Sequence, residues 1–100
     1  MAKDALEASP KTTKKLFEND QVRVLEVEIK PGDKEPIHSH KWKGVMIVIS
    51  PAKLRYYDAN NKVEFEASQS GAEWREPAGD HSVENIDSKV FKAYRVELKK

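Results

Sequence analysis

The chain carries three histidines, and two of them, His38 and His40, are separated by a single residue. Side chains alternate between the faces of an extended strand, so residues two apart project from the same face and can converge on one point. His81 opens another extended run much further along, directly after the turn Pro77-Ala78-Gly79-Asp80. Imidazole nitrogen is a good ligand for iron, zinc, nickel, copper and manganese. Three imidazoles on a rigid sheet would hold one divalent ion per chain and leave further positions for water or a small molecule. Two histidines spaced by one residue also occur on solvated strands where they bind nothing, so the spacing alone is a weak signal.

The elements that must position these residues read as strands. From Val22 the chain alternates Leu25, Val27 and Ile29 with Val24, Glu26 and Glu28, the period of two of a half-buried strand, and Pro31-Gly32-Asp33 stops it. Further runs follow over 35–40, 45–50, 53–58, 62–67, 72–76, 81–85 and 90–98, giving about eight strands in all. Ala59-Asn60-Asn61, Ser70-Gly71 and Pro77-Ala78-Gly79-Asp80 supply turn chemistry between them. Short strands at regular spacing predict an all-β antiparallel sandwich or barrel. Residues 1–15 lack clean periodicity, and Pro10 interrupts any helix begun at Asp4, so they read as an N-terminal arm leading into a single domain over 16–100.

Around the histidines the sequence resembles a family. Gly32-x5-His38-Ser39-His40 matches the opening of the first cupin motif, and Gly71-x5-Pro77-Ala78-Gly79, followed by His81-x3-Asn85, matches the second. The resemblance covers essentially all of 16–98 and implies a single-domain double-stranded β-helix, the cupin jelly-roll barrel. It also implies that His38, His40 and His81 are metal ligands.

The departures bear on function. Where the first motif usually carries a glutamate ligand, this chain has Gly44 and Val45; the motif's closing glycine falls at Pro51; and only Asp80 separates Gly79 from His81 where the family has two residues. Three neutral imidazoles without a carboxylate would leave the full charge of the cation in the site, which favours an anionic or chelating ligand. Similar three-histidine sites in the superfamily hold Fe(II) in thiol dioxygenases and in enzymes that cleave β-dicarbonyl compounds. The resemblance therefore implies Fe(II) ahead of Zn, Ni, Mn or Cu, and a small chelating metabolite as ligand or as the substrate of a dioxygenase. The chain has no cysteine, so it cannot form the Cys-Tyr crosslink of some thiol dioxygenases. Whether the protein is an enzyme or a non-catalytic binding or structural barrel stays open at this level.

Other residues take places around this centre. Glu76 shares strand parity with Trp74 and precedes Pro77, so it could substitute for the missing carboxylate or orient an imidazole, although a solvated strand-end glutamate is the commoner case. Trp42 follows His40 by two residues and is a candidate for the pocket mouth, as is Trp74 for its wall; core or dimer packing is the alternative for both. Gly44, Met46 and Val48 share one parity and would line the barrel below the metal. Of the adjacent Tyr56 and Tyr57, one must face in and the other out, and the sequence does not say which.

Composition closes off other classes. With 18 Lys+Arg against 17 Asp+Glu, the formal net charge of +1 gives no basic stripe for nucleic acid. The longest apolar run, Val45 to Ile49, falls far short of the roughly 20 residues of a membrane helix. The absence of cysteine fits a reducing cytoplasm. A chain of 100 residues with 35% charged residues has a thin core, and a homodimer would cover more apolar surface. No nucleophile elbow, phosphate-cradling loop or dinucleotide fingerprint competes with the histidines.

Overall fold

The computed structural model describes residues 3–99. Met1, Ala2 and Lys100, the outer ends of the expected arm and barrel, lie outside the described residues. After a short helix α1 (Ala5–Ala8) come nine strands: β1 (Thr13–Glu18), β2 (Val22–Ile29), β3 (His38–His40), β4 (Gly44–Ser50), β5 (Lys53–Tyr57), β6 (Val63–Ser68), β7 (Gly71–Arg75), β8 (Ala78–Asn85) and β9 (Phe91–Leu98). They form a five-stranded sheet in the order β1-β2-β9-β4-β7 facing a four-stranded sheet in the order β3-β8-β5-β6. Every strand pairing is antiparallel. Among the described residues no helix is long and apolar enough to cross a membrane.

The eight expected strands are all present, the first histidine strand shortened to His38–His40. The ninth, β1, takes up the end of the stretch expected as an arm. Its sequence, TKKLFE, does not alternate because a bulge between Lys15 and Phe17 shifts the register against β2. Ahead of it Ala5, Ser9 and Thr12 are buried, so this segment packs on the barrel. Asp4 caps α1 by accepting from the Leu6 amide at 3.1 Å. Asp4 also bridges to Ser39, and the Ser39 amide donates to the Lys3 carbonyl at 2.9 Å, so the segment is stitched to the strand that carries two histidines.

The core lies between the sheets. Val27, Ile29, Leu54, Val83, Phe91 and Ala93 are its buried centre, with Met46, Val48 and Tyr56 packed against it. Each fully buried aliphatic or aromatic side chain of this kind stabilises the fold by roughly 1.5–3 kcal/mol through removal from water. The motif residues have structural work too. Gly32 and Gly71 sit at φ +82° and +71°, turn conformations that cost a side-chain-bearing residue strain. Asn85, fully buried, donates to the carbonyls of Ile29 and Lys89 at 2.8 Å each and accepts from the Asp87 amide, holding the loop before β9.

Candidate metal centre

Strand β3 lies against β8 with His38 paired to His81 and His40 to Ala78; the two-residue spacing turns both β3 imidazoles to the same side, and the register shift takes up one extra residue on β8. The three imidazoles meet: ring centroids are 5.0 Å apart for His38–His40, 4.6 Å for His38–His81 and 5.1 Å for His40–His81. One nitrogen from each lies within 4.8 Å of the other two, close enough for a single ion to engage all three.

The other ring nitrogens decide which ones face that point. His38 Nδ1 lies 2.9 Å from the Pro36 carbonyl and His81 Nδ1 lies 2.7 Å from the Gly79 carbonyl. A carbonyl can only accept, so both rings carry their proton on Nδ1 and present the Nε2 lone pair. The third, His40 Nδ1, is buried without a hydrogen-bond partner, 3.8 Å from Glu97 Oε2. That is too long for a hydrogen bond, yet it aims an unsatisfied nitrogen at a carboxylate. A ring drawn toward an ion needs this kind of support, so the donor set and its surroundings fit a bound divalent metal. Burial lowers the pKa of all three, His40 to about 4, so the rings are neutral at neutral pH and their lone pairs are free.

Two carboxylates that sequence reading did not single out shape the electrostatics. Glu97, with no exposed surface, accepts from Arg23 Nε at 2.5 Å and Arg95 Nε at 3.2 Å, and Arg23 in turn meets Asp4 at 2.9 Å. Burial alone would raise its pKa, but His40 and the Arg23 and Arg95 guanidiniums outweigh this and hold it at about 2. Glu35 is the opposite case. It is buried, its Oε2 accepts from the Thr12 hydroxyl at 2.7 Å, and no lysine or arginine pairs with it among the described residues. Burial pushes its pKa up to about 7, only partly opposed by Thr12 and His81. The period-two pattern could have flagged Glu97 and Arg95, since both continue the inward parity of Phe91 and Ala93.

The histidines, Glu35 and Arg95 share a cavity of about 390 Å³ between the sheets. Its walls are mainly apolar, with Leu25, Val27, Met46, Leu54 and Phe91 among them. Tyr56 is the inward tyrosine: it lines this cavity and stacks on Phe65 at 4.4 Å. Tyr57 faces out, donating to Glu84 at 2.5 Å under the Lys34 ammonium. Met46 reaches the cavity wall, whereas Val48 packs in the core. Trp42 lies outside, its ring beneath the Arg23, Lys41 and Lys99 cations. Trp74 is half-exposed and donates to Glu76 at 2.8 Å; Glu76 sits on the cavity rim, exposed, and does not join the histidine group.

Gly44 explains the missing glutamate in steric terms. A Cβ built there would lie 2.0 Å from the Val96 carbonyl oxygen, so the close approach of β4 to β9 excludes any side chain. Its cross-strand partner on β9 is Glu97, which supplies a carboxylate from the next strand, held by two arginines and set behind His40.

Solved structures share the fold of this chain. A cupin domain from Bordetella pertussis matches with a TM-score of 0.77 at 20% identity, covering 88% of this chain and 92% of that one. The fold is the cupin fold. A double-stranded β-helix protein from Klebsiella pneumoniae matches at 19% identity and TM-score 0.67, over 87% of this chain and 75% of its own. A polyketide cyclase from Streptomyces resistomycificus matches at 17% identity and TM-score 0.64, over 93% and 68%. No protein-family model and no curated protein matches the chain. The likenesses thus establish the cupin barrel, and the chemistry rests on this chain's own residues.

Proposed function

We propose that this protein is a small cytoplasmic metal-binding barrel in which His38, His40 and His81 hold one divalent ion, Fe(II) in preference to Zn, Ni, Mn or Cu. A small chelating molecule with a short apolar body is its ligand, and with iron the reaction class is a dioxygenase acting on that molecule. The observation that carries the reading is the orientation of the rings: two Nδ1 atoms are turned to carbonyl acceptors and the third toward a buried carboxylate, leaving three neutral nitrogens convergent.

When bound, the ion supplies Lewis acidity and, in the case of iron, redox chemistry toward dioxygen. The chain supplies the rest. Glu97, held by Arg23 and Arg95, stands 3.8 Å from His40 Nδ1 and would orient that ring as it engages an ion. The apolar wall excludes water from the ligand body, and the Tyr56–Phe65 stack forms part of that wall. Glu35 lines the same cavity and, with a pKa of about 7, can hold a proton or surrender it to a ligand atom at neutral pH.

Elemental analysis of protein purified without a histidine tag or chelator tests this, run beside a His38→Ala/His40→Ala variant of confirmed fold. About one metal per chain in the parent and none in the variant is the expected result, by the one-ion logic of a three-ligand site. Oxygen uptake with chelating carbonyl acids then separates an oxygenase from a binding protein. No metal in either protein after anaerobic reconstitution with Fe(II), Zn(II), Ni(II) and Mn(II) would overturn the reading.

A further inference from the structure

The outer face of the five-stranded sheet carries a continuous apolar row. By register, Phe17 on β1 lies opposite Val24 on β2, Val24 opposite Val96 on β9, Val96 opposite Val45 on β4, and Val45 opposite Trp74 on β7. The row therefore crosses all five strands without a polar interruption. Its ends are open, Phe17 at 52% and Trp74 at 50% exposure. Tyr94 and Ile47 continue the patch on one side, and Val22 and Leu98 on the other. An in-register row of this extent is unusual on a sheet face that meets only water, where outward positions are normally polar.

We propose that this face is the interface of a homodimer, with a second copy of the chain as its occupant. Two features favour a second copy over a charged partner. First, the charges beside the row cancel within one chain: Lys14 lies opposite Glu26, Lys92 lies opposite Glu28, and Lys92 and Glu26 approach to 3.9 Å. The face offers no net charge for an acidic or basic partner to read, and two copies brought together do not repel. Second, β9 is the central strand of the five, so a twofold axis passing over Val96 lays the row onto the same row of the second copy, the self-complementary geometry of an isologous interface.

The size is adequate. Five strands about 4.8 Å apart, with three outward positions along each, give a face of about 24 by 20 Å, on the order of 500 Å² per copy and 1,000 Å² for the pair, where specific interfaces begin. The cavity lies between the two sheets, and its rim meets the row at Trp74, which donates to the rim residue Glu76. The proposal is independent of whether the histidines bind metal.

Sedimentation velocity of the full chain tests it, with acrylamide quenching of Trp74 in a Trp42→Phe background as a second readout. The expected result is a dimer in which Trp74 is shielded, and which dilution converts to a monomer with Trp74 quenched freely. Val45→Lys, at the middle of the row, should give a monomer that keeps the parent's far-ultraviolet circular dichroism. Trp74→Glu, at an exposed edge where folding is not at stake, should weaken the dimer at least tenfold. A monomer at every concentration, or a dimer indifferent to Trp74→Glu, would overturn the proposal.

Discussion

Along β2 and β9 the barrel interior has two unlike ends. At one, Ile29 faces Phe91 and Val27 faces Ala93, all buried and apolar; at the other, Leu25 faces Arg95 and Arg23 faces Glu97, still buried but charged. The same pair of strands thus changes from core to electrostatic scaffold within four cross-strand pairs. The apolar end stabilises through area removed from water. The charged end gains less, because burying ions costs desolvation that their pairing only offsets. Its retention is better explained by what stands beside it: Glu97 backs His40, and Arg95 lines the cavity. One end holds the barrel together and the other sets the geometry of the candidate metal centre.

Matched substitutions at the two ends should break this comparison most clearly. Phe91→Ala removes a fully buried ring from the apolar end and should cost about 3–5 kcal/mol in chemical denaturation, with metal affinity unchanged in the folded fraction. Glu97→Gln leaves Arg23 and Arg95 without their carboxylate and should cost a comparable 3–5 kcal/mol or so, but here metal affinity should also fall by about 10–100-fold. Competition with a chromophoric chelator would read the second effect. Equal affinities in the two variants would remove the distinction between the ends. The Glu97 contribution also has a pH signature. Because the folded pKa is depressed to about 2 from 4.5, its stabilisation is complete above 4.5 and is lost as pH falls toward 2.

Glu35 sharpens the comparison from the other direction, since it is a buried carboxyl without a cation. Its folded pKa of about 7 exceeds the ordinary 4.5, so across that window the unfolded chain releases a proton that the folded chain keeps. Stability of the metal-free protein should therefore fall by up to about 3 kcal/mol as pH rises through the window. Glu35→Gln should abolish this slope, leaving the variant more stable than the parent at pH 8 and similar at pH 4. Denaturant midpoints at the two pH values check it; parallel profiles would show that Glu35 ionises freely. Gly44→Ala should cost about 3 kcal/mol, the upper part of the overpacking range, because the obstacle at 2.0 Å is backbone.

The barrel and its histidines were legible because both are written in local signals. Alternation in 22–29 and 91–98 follows burial residue by residue, and His-x-His on a strand forces a shared face. What escaped depends on pairing between distant segments. Thr13–Glu18 hides its strand behind a bulge, and Glu35 lies in a stretch of mixed polarity where nothing local marks it as buried. Arg23, Arg95 and Glu97 continue the inward parity of their strands, but charges near strand ends look solvated until the pairing of β2 with β9 sets Arg23 against Glu97 and supplies the partner that burial requires. Trp42 follows His40 by two residues but leaves the cavity because β3 ends at His40, so its parity no longer applies.

The N-terminal segment gives the smallest effect and links both ends of the comparison. Asp4 caps α1, pairs with Arg23 and bridges to Ser39 between the two β3 histidines. Asp4→Ala should cost about 1–2 kcal/mol, the sum expected for one helix cap and one partly buried ion pair. The backbone hydrogen bond from Ser39 to Lys3 does not use the aspartate side chain and should persist. If the segment only adds stability, metal affinity in Asp4→Ala will equal that of the parent. If, as the Asp4–Arg23–Glu97 connection to His40 implies, it also steadies the site, affinity will fall by a factor of a few while Glu97→Gln shows little further loss from adding Asp4→Ala. Additive losses in that double variant would instead separate the segment from the histidine support.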